Sequence, residues 1–471
     1  MKSNHNQILR SSLMIACAAT AVSGAFAQEG GASTGQAAEK TVAERRVIDE
    51  IFVRGRRLGD LRGDTASAVT LSDIPLEDLP LNVSVIPRGL IDLVNPRDTR
   101  RVIEQNASVV TRTGHVQSFQ GIFIRGFSND GEINGRLKNG VPFYGVDSPI
   151  ADNSVLERVE VLKGSAGLLF GAASPGGVLN YVYKTPQEEP AYGVDVTVGD
   201  FSTLRADLDA TGAVISDTLN YRFTLGYEDS DGWQDYDYYE KLAPTLQLQA
   251  RLGARTTVSL LAELINVDSN PSNQDTVFTG GRTGTPIELP IETYLGHAND
   301  YSEERTEQFQ FVANHDFDNG FGLVAQFGSN TTEREQGNTG YMGFFGAPSP
   351  SGDVTRVQFD QKRTSDGKYG AVHLTWAGET GDFTHKALIG VNASENQMFN
   401  INGFSSRAAP FAGPFVEGGV LPPTTQINIY NPVTTDYPHL TNFADSPPFS
   451  HLQWTYEDRG LNLQDLIGYD A

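Results

Sequence analysis

The residues of this chain best placed to do chemistry lie in the glycine-rich stretch 156–186, LERVEVLKGSAGLLFGAASPGGVLNYVYKTP. A glycine-rich turn beside a lysine can cradle a phosphate, but that chemistry needs Gly-x-x-x-x-Gly-Lys-Ser/Thr running into a helix. Here Lys163 precedes the glycines, and an apolar run at 178–183 with strand composition follows them. The stretch is therefore interpreted as strand, glycine turn and strand; a tight hairpin in some other β protein is the alternative.

Elsewhere the reactive side chains are scattered. No Ser/His/Asp constellation, metal-ligand cluster or close carboxylate pair stands out in the sequence, which predicts a protein that is not an enzyme and has no metal or cofactor of its own. The polar segments 112–120 and 128–145 carry residues suited to binding, among them Gln117, Arg136 and Tyr144. For any single one of these residues, a solvated loop position is the alternative.

The N-terminal segment indicates the cellular compartment of this protein, and its net charge limits the kinds of partner it can bind. Residues 1–27 have Lys2 and Arg10 ahead of an apolar run and end in Ala-Phe-Ala, which is typical of a secretory signal peptide. A lipid-modified Cys17 is the alternative, although Met14 and Ile15 fit it poorly. Cys17 is the only cysteine, so no disulfide is expected in the mature chain. The net charge of −23 argues against nucleic acid as a partner.

After residue 190 the pattern changes to long runs in which apolar and polar residues alternate. Runs at 219–228, 246–253, 309–317 and 321–327 have one apolar face, which predicts an antiparallel sheet. Strands of a soluble sandwich usually stop at about 5–6 residues, whereas these are long enough to cross a bilayer while tilted. With 354–377 taken as one strand, the long connections 229–240, 267–304, 335–352 and 398–453 all lie at one edge, as in outer-membrane barrels.

Four motifs follow one another with regular spacing: GIFIRGF (121–127), NGVPF (139–143), LERVEVLKGSAGLLFG (156–171) and SPGGVLNYVYKTP (174–186). Together they resemble the plug domain of TonB-dependent outer-membrane receptors, in particular the siderophore-receptor branch. The resemblance covers 65–186 by motif and the rest of the chain by pattern. Lys163 stands where the family usually has Arg, and Ser165 where it usually has Pro.

The resemblance implies a mainly β protein with an N-terminal α+β plug domain followed by an antiparallel transmembrane β-barrel. The expected organisation is a signal peptide (1–27), a flexible leader (28–64), the plug (65–186) and the N-terminal part of the barrel (190–471). The strand pattern gives about ten strands, too few to enclose a plug. Because the family closes its barrel with 22 strands, the chain as given is expected to be truncated.

The implied function is uptake of a ferric siderophore into the periplasm by a receptor of the cell outer membrane. The partners implied are a TonB-type energising protein, the ferric siderophore and outer-membrane lipid. A receptor of the same architecture for cobalamin, haem or an oligosaccharide is the nearest alternative. A passive porin or adhesin is a further one, although it would lack the residues of the plug.

Two sets of contact residues follow from the resemblance. The first is the TonB box within 49–55, a short β-prone run that would pair with the energising protein as an added strand; it comprises Asp49, Glu50, Ile51, Phe52 and Val53. The second is a lock between plug and barrel, in which Arg125 and Lys163 pair with barrel-wall glutamates. Because Ile122 and Ile124 precede it, Arg125 is expected to seek a buried carboxylate or carbonyl.

The expected ligand contacts lie in polar loops. Arg112, Gln117 and Tyr144 belong to the apical loops of the plug, and Trp233 belongs to an external loop rich in tyrosine. A ferric complex presents oxygens, which call for arginine and amide donors and for aromatic faces. Four acids in 229–239 favour a neutral complex over a strongly anionic one.

Overall fold

The computed structural model describes residues 61, 63, 65–67, 74–79, 81–96, 98–111, 121–129, 135–145, 151–164, 174–270, 289–290, 292–317, 319–341, 351–404, 426–432 and 450–469. The chain divides into two units, Met1–Gly55 and Arg56–Ala471, and every described residue belongs to the second. Among the described residues no helix has both the length and the apolar character needed to cross a membrane.

The N-terminal part of the described chain is a small α+β body of short elements, which we call the plug. It contains β1 (Thr65–Ala66), β2 (Ile74–Pro75), a 3-10 helix (Leu76–Asp78), β3 (Asn82–Pro87), α1 (Arg88–Val94), α2 (Thr99–Ile103), β4 (Val109–Thr111), β5 (Ile122–Ile124), β6 (Phe127–Ser128), β7 (Arg136–Lys138), β8 (Val141–Pro142), β9 (Leu156–Lys163) and β10 (Gly177–Tyr183). Asp98 caps α2, because its carboxylate accepts a hydrogen bond from the Arg101 backbone N–H at 3.1 Å.

The plug is built around a five-stranded sheet in the order β3-β9-β10-β7-β8. β9 and β10 are antiparallel neighbours, which confirms the two strands predicted within 156–186; most of the glycine turn between them lies outside the described residues. β10 pairs with β7 in parallel, so the motif at 139–143 lies beside the one at 174–186. The core of the plug contains Val159, Val161, Leu179 and Tyr181, all with no exposed surface.

The rest of the described chain forms ten long antiparallel strands, which we call the strand wall. They are β11 (Ala191–Val198), β12 (Leu204–Ile215), β13 (Leu219–Asp231), β14 (Tyr238–Leu252), β15 (Thr256–Ser269), β16 (Tyr301–Asp316), β17 (Phe321–Tyr341), β18 (Asp353–Thr380), β19 (Phe383–Phe404) and, after a short β20 (Gln426–Asn428) that pairs with β18, β21 (Ser450–Tyr469). Each strand pairs with the next, and β11 and β21 are the two edges of the described sheet. The predicted count of about ten strands is confirmed.

The two faces of the strand wall have opposite polarity. On β18, Val372 and Leu374 point outward and are 47% and 40% exposed, whereas His373 between them points inward and is buried. The inward face is polar and contacts the plug. The outward face is apolar, the reverse of a soluble sheet and the pattern of a barrel that faces lipid.

The register of the wall shows that its strands are tilted. One row of residues that lie directly opposite each other on neighbouring strands of the outward face runs through Tyr192, Ala210, Phe223, Leu246, Ala262, Phe309, Ser329, Lys368, Glu395 and Glu457. This row begins with apolar residues and ends with charged ones. An apolar band of constant height therefore crosses the rows obliquely, as expected for strands inclined to the axis of a barrel.

The strands extend further than the sequence predicted. β18 is a single strand of 28 residues, which confirms the choice made for 354–377. The connection predicted at 335–352 is shorter, however, because β17 continues to Tyr341, and the one predicted at 398–453 begins only after Phe404. Beyond the apolar band both faces of a strand are polar, so alternation ends before the hydrogen-bonded ladder does.

Candidate functional site: the plug, its seam with the strand wall and the external rim

The plug and the strand wall are joined by a buried ion pair. Lys138 on β7 places its Nζ 2.5 Å from Oε2 of Glu263 on β15, and their side chains are 0% and 1% exposed. Tyr183 donates its hydroxyl to Glu263 Oε1 at 2.9 Å, and the Lys138 Nζ lies 4.1 Å from the centre of the Phe143 ring. Both carboxylate oxygens therefore have a donor. We call the Lys138–Glu263 ion pair, together with Tyr183 and Phe143 that surround it, the closed pair.

Burial sets the protonation behaviour of the plug members of the closed pair. It lowers the pKa of the Lys138 amine, while the Glu263 carboxylate acts in the opposite direction. Burial, together with Glu263, raises the pKa of the Tyr183 hydroxyl well above its ordinary value. Tyr183 consequently remains a proton donor over the whole physiological pH range.

A second contact uses several charges. Asp152, in the turn before β9, lies 2.9 Å from Arg205 on β12 and 2.6 Å from Lys241 on β14. Arg205 also pairs with Asp207 at 2.7 Å and with Glu228 at 3.3 Å. We call these five residues the charge cluster; it has three acids and two bases.

A backbone N–H group and a glycine next to Asp152 fix the position of its carboxylate. The Ser154 N–H donates to Asp152 Oδ1 at 2.8 Å, and a Cβ on Gly226 would lie 2.3 Å from that same oxygen, so only glycine leaves room for the carboxylate. Burial disfavours the charge on Asp152, but Arg205 and Lys241 outweigh it. The pKa of the Asp152 carboxyl therefore lies well below its ordinary value.

A third contact forms where the chain leaves the plug. Lys184 lies 2.8 Å from Asp209 on β12, and Arg222 on β13 binds the same carboxylate with two N–H groups at 2.8 and 2.7 Å. The Gln247 side chain on β14 donates to the Lys184 carbonyl at 2.8 Å. The segment between the plug and β11 is thereby fixed to the inner face of three strands.

Tyr144, which the sequence predicted as a ligand contact, is buried with 0% exposure. Its N–H donates to Asn330 on β17 at 3.1 Å, and its carbonyl accepts from the amide of the same side chain. A Cβ on Gly367 of β18 would lie 2.5 Å from the Tyr144 ring, so that glycine makes space for it. The side chain thus presents no surface to a ligand in this conformation; its predicted role stays a prediction.

The two residues of the predicted lock lie at the opposite end of the plug sheet. Lys163 pairs with Gly177, six residues along β10 from Tyr183, which is about 20 Å from the end that meets β15. Lys163 donates to the Ser84 hydroxyl at 2.8 Å. Its pKa is lowered by partial burial and by the neighbouring Arg125. Among the described residues neither Lys163 nor Arg125 forms an ion pair, and the lock stays a prediction.

The surroundings expected for Arg125 need a correction. Ile122 and Ile124 are buried, but Arg125 follows the end of β5 in a turn with φ 52 and its side chain is exposed. The alternation that buries the isoleucines ends at Ile124, so Arg125 does not share their surroundings. The other predicted site residues Arg112 and Gln117, and the box Asp49, Glu50, Ile51, Phe52 and Val53, lie outside the described residues.

Trp233 is half-buried in the turn between β13 and β14, at the edge of the wall that carries the long connections. This turn is fixed to segment 289–300. Gln234 donates its amide to the Thr293 carbonyl at 3.1 Å, and the Asp235 N–H donates to the Glu292 carbonyl at 3.0 Å. The rings of Tyr236 and Tyr294 are 5.8 Å apart. We call the turn, residues 289–290 and 292–300, and segment 426–431 the external rim.

Asp300 joins the external rim to the strand wall. Its Oδ2 accepts from the Tyr294 hydroxyl at 2.7 Å and from the backbone N–H groups of His297 and Thr339 at 3.0 Å each. Leu295 packs with Ile427 and Ile429 of the segment that follows and includes β20. The connections described at this edge are thus packed on one another.

Sequence reasoning missed Lys138, Asp152 and Glu263. For Glu263 a signal existed, because it occupies an inward position of β15 between Leu261 and Ile265, which are both buried. A charge between two apolar neighbours on one face of a strand predicts a buried partner. For Asp152 no comparable pattern exists, since it lies in a turn.

Comparison with known proteins agrees with the plug identified in the structure. The family model of the TonB-dependent receptor plug domain matches residues 75–178. The metal-pseudopaline receptor of Pseudomonas aeruginosa strain PAO1 is 25% identical over 87% of this chain and 54% of its own length. The ferrichrome outer membrane transporter/phage receptor of Escherichia coli K12 is 23% identical over 85% of this chain and 54% of its own. The chain therefore spans about half the length of these curated relatives.

Solved structures share the fold. The ferripyoverdine receptor of Pseudomonas aeruginosa superimposes with a TM-score of 0.71 at 18% identity, over 86% of this chain and 52% of that one. The ferric preacinetobactin receptor of Acinetobacter baumannii gives 0.70 at 21% identity, over 88% and 59%. The described chain shares with these structures the fold of a plug sheet beside long antiparallel strands, and its residues 75–178 match the TonB-dependent receptor plug domain; it is therefore similar to the TonB-dependent siderophore receptors of the outer membrane.

Proposed function

We propose that this receptor binds a ferric siderophore at the external edge of the strand wall and passes it to the periplasm when a TonB-type protein pulls on residues 49–55. The observation that carries the proposal is the plug sheet held against the inward face of the wall by the closed pair and the charge cluster. In a passive pore, a folded plug held against the inward face of the strands would block diffusion through the barrel. The ferrichrome and ferripyoverdine receptors among the relatives support the substrate class.

The ligand contacts of this proposal lie at the external edge. Trp233 and the exposed Tyr236 supply aromatic surface on the external rim, and Arg112 and Gln117 supply donors from the plug. Tyr144 is assigned a positioning role, because its buried ring packs against the wall and its backbone is held by Asn330. The acids of 229–239 favour a neutral ferric complex.

Uptake of radioactive iron tests the proposal. Cells without other ferric-siderophore receptors would express the receptor from its gene and be given a neutral ferric hydroxamate. Val53→Pro should abolish uptake but leave binding to whole cells intact, because proline removes a backbone donor from the added strand. Val53→Ala, which keeps that donor, is the matched control. Full uptake by the proline variant would exclude this box, and absence of binding would exclude the ligand class.

A second ligand class has one specific observation in its favour. The relative that is 25% identical is named a metal-pseudopaline receptor, so a small chelator carrying a metal other than iron is a candidate. Supplying one chelator loaded with iron, nickel or zinc to the same cells separates the two. Preferential uptake of a divalent metal would replace the ferric complex as the substrate without altering the role of the plug.

A further inference from the structure

Near the start of the described plug lies a short segment, residues 63 and 65–67, which we call the strap. In the sequence it follows the predicted TonB box at 49–55. Its strand β1 pairs with β2 over only two residues, so its backbone ladder is short. Ala66 is nevertheless fully buried in an apolar cluster of the plug, and a Cβ on Gly63 would lie 2.4 Å from the Val85 side chain on β3. The strap is therefore packed closely on the plug sheet.

Ser67 ends the strap and binds a buried carboxylate of the plug sheet. Its backbone N–H and its hydroxyl donate to Oε1 of Glu160 on β9 at 2.9 and 3.2 Å. Arg158 on the same strand donates to this oxygen at 2.8 Å and to the Ser67 hydroxyl at 3.0 Å. Because Glu160 is fully buried, its carboxylate requires such donors, and the strap supplies two of them.

The other oxygen of Glu160 continues this network toward the strand wall. Asn180 on β10 donates its amide to Glu160 Oε2 at 3.0 Å, and its carbonyl oxygen accepts from the Gly140 N–H at 2.9 Å. Asn139 and Gly140 form the turn between β7 and β8, with φ values of 52 and 78. An Asn-Gly pair is typical of such a turn, because both central residues need positive φ. The turn directly follows Lys138 of the closed pair.

This turn is fixed to the wall by β15 and β16. Gln310 on β16 donates to the Lys138 carbonyl at 2.9 Å and accepts from the Asn139 amide at 3.4 Å. Beside it, the Lys138 amine forms the buried ion pair with Glu263 on β15. A path of hydrogen bonds, through two buried side chains and one turn, therefore leads from Ser67 to the wall.

We propose that Glu160 is a positioning residue which couples the strap to the closed pair, so that pulling the strap off the plug sheet loosens the turn after Lys138. Departure of Ser67 removes two donors from Glu160 and admits water to the carboxylate. An ionised carboxylate in water needs no fixed partner, so Asn180 loses its orientation and the Gly140 N–H loses its acceptor. Release of the side of the plug that meets β15 then depends on the pull, whose source rests on the proposed function.

Hydrogen–deuterium exchange of the complete receptor in detergent micelles, followed by mass spectrometry, tests this coupling. Glu160→Gln keeps the size of the side chain, but one of its two oxygens is replaced by an amide donor, so it cannot accept from both Ser67 and Asn180. Exchange in peptide 136–143 should become about tenfold faster, while the β3–β9 ladder under the strap keeps its rate. Glu157→Gln, the same change at an exposed position of β9, should leave both rates unchanged.

A second set of variants tests the strap itself. Ala66→Arg places a charge in the apolar cluster and should drive the strap off the sheet, with the same acceleration in 136–143 although Glu160 is unchanged. Ser67→Ala removes the hydroxyl donor and should give a smaller acceleration. Ser67→Thr, which restores the hydroxyl, should reverse it.

Three outcomes overturn the coupling. Glu160→Gln could behave like Glu157→Gln, 136–143 and the β3–β9 ladder could accelerate by the same factor, or Ser67→Thr could exchange as fast as Ser67→Ala. The Ser67 variants change a single hydroxyl, so they keep the test decisive even if Ala66→Arg misfolds. The measurement needs neither ligand nor TonB-type protein. Its failure therefore leaves the transport proposal standing, and a failed uptake experiment leaves the coupling standing.

Discussion

The closed pair and the charge cluster both fasten the plug to the strand wall, but they are built differently. In the closed pair one lysine meets one glutamate, and both are excluded from water. In the charge cluster Arg205 pairs with three carboxylates, and Asp207 at its edge is 25% exposed. Within the part of the chain that the structure describes, the first contact has no second ion-pair partner for either charge, whereas the second has several.

Under the proposed function this difference matters, because the plug would have to change its contacts during transport. Breaking a buried pair leaves an uncompensated charge in an apolar site, which makes such a contact cooperative and hard to open. In the charge cluster, Arg205 retains Asp207 and Glu228 when Asp152 leaves, so no cation is stranded. We therefore expect the side of the plug near β15 to be the more firmly held one and the side near β12 to release first.

The largest effect should follow from breaking the closed pair. Glu263→Leu leaves the Lys138 amine buried with no carboxylate, and we expect the free energy of unfolding to fall by about 3–5 kcal/mol. Urea titration of the receptor in detergent micelles, followed by tryptophan fluorescence, measures it.

The double variant Lys138→Met with Glu263→Leu is the control for that result. It removes both charges and keeps similar volume, so most of the lost stability should return. If the double variant is as unstable as Glu263→Leu alone, packing rather than the ion pair supports this contact.

Removing one charge from the cluster should cost less. Asp152→Asn keeps the size of the side chain and the hydrogen bond to the Ser154 N–H but withdraws the negative charge from Arg205 and Lys241. We expect a loss of about 1.5–3 kcal/mol, since charge-assisted hydrogen bonds are lost but both cations keep other carboxylates nearby. A loss equal to that of Glu263→Leu would contradict the proposed difference between the two contacts.

The pH dependence gives a smaller and separate test of Asp152. Its pKa in the folded receptor lies below the ordinary value of about 3.9, so its carboxylate contributes its full stabilisation above that pH. The contribution is lost progressively as the pH falls below that value toward the folded pKa. Unfolding curves between pH 3 and 7 should therefore show a steeper loss below about pH 4 for the unmodified receptor than for Asp152→Asn. Parallel curves would mean that Asp152 is not held ionised by the cluster.

The strand wall was predictable because its geometry imposes period two on the sequence. Each strand has one face on lipid and one on the polar interior, so alternation persists over the whole band. The placement of all long connections at one edge then identified 354–377 as one strand. The ends of β17 and β19 were not predictable from hydropathy, because both faces become polar above the band. The sequence there still forms the ladder, as the long register of β17 with β18 shows.

The contacts of the plug were less predictable. Lys138 and Glu263 are 125 residues apart, and they meet only because β7 pairs in parallel with β10 and this sheet end reaches β15. A sequence motif predicts the local structure of its own segment, but it does not predict which strand of the wall that segment will contact. Arg125 shows the converse, since its apolar neighbours suggested burial while the turn at φ 52 exposes it.

The smallest effect is expected at the exposed edge of the cluster. Asp207→Asn removes one of three carboxylates from Arg205, but Asp152 and Glu228 remain at 2.9 and 3.3 Å. Because Asp207 is partly in water, the loss should be within about 1 kcal/mol. The same urea titration checks it, with Asp152→Asn measured alongside, and the double variant should lose more than the two single losses added, since Arg205 would then keep Glu228 alone. If Asp207→Asn costs as much as Asp152→Asn, the partners of Arg205 do not substitute for one another, and the side of the plug near β12 is held as firmly as the side near β15.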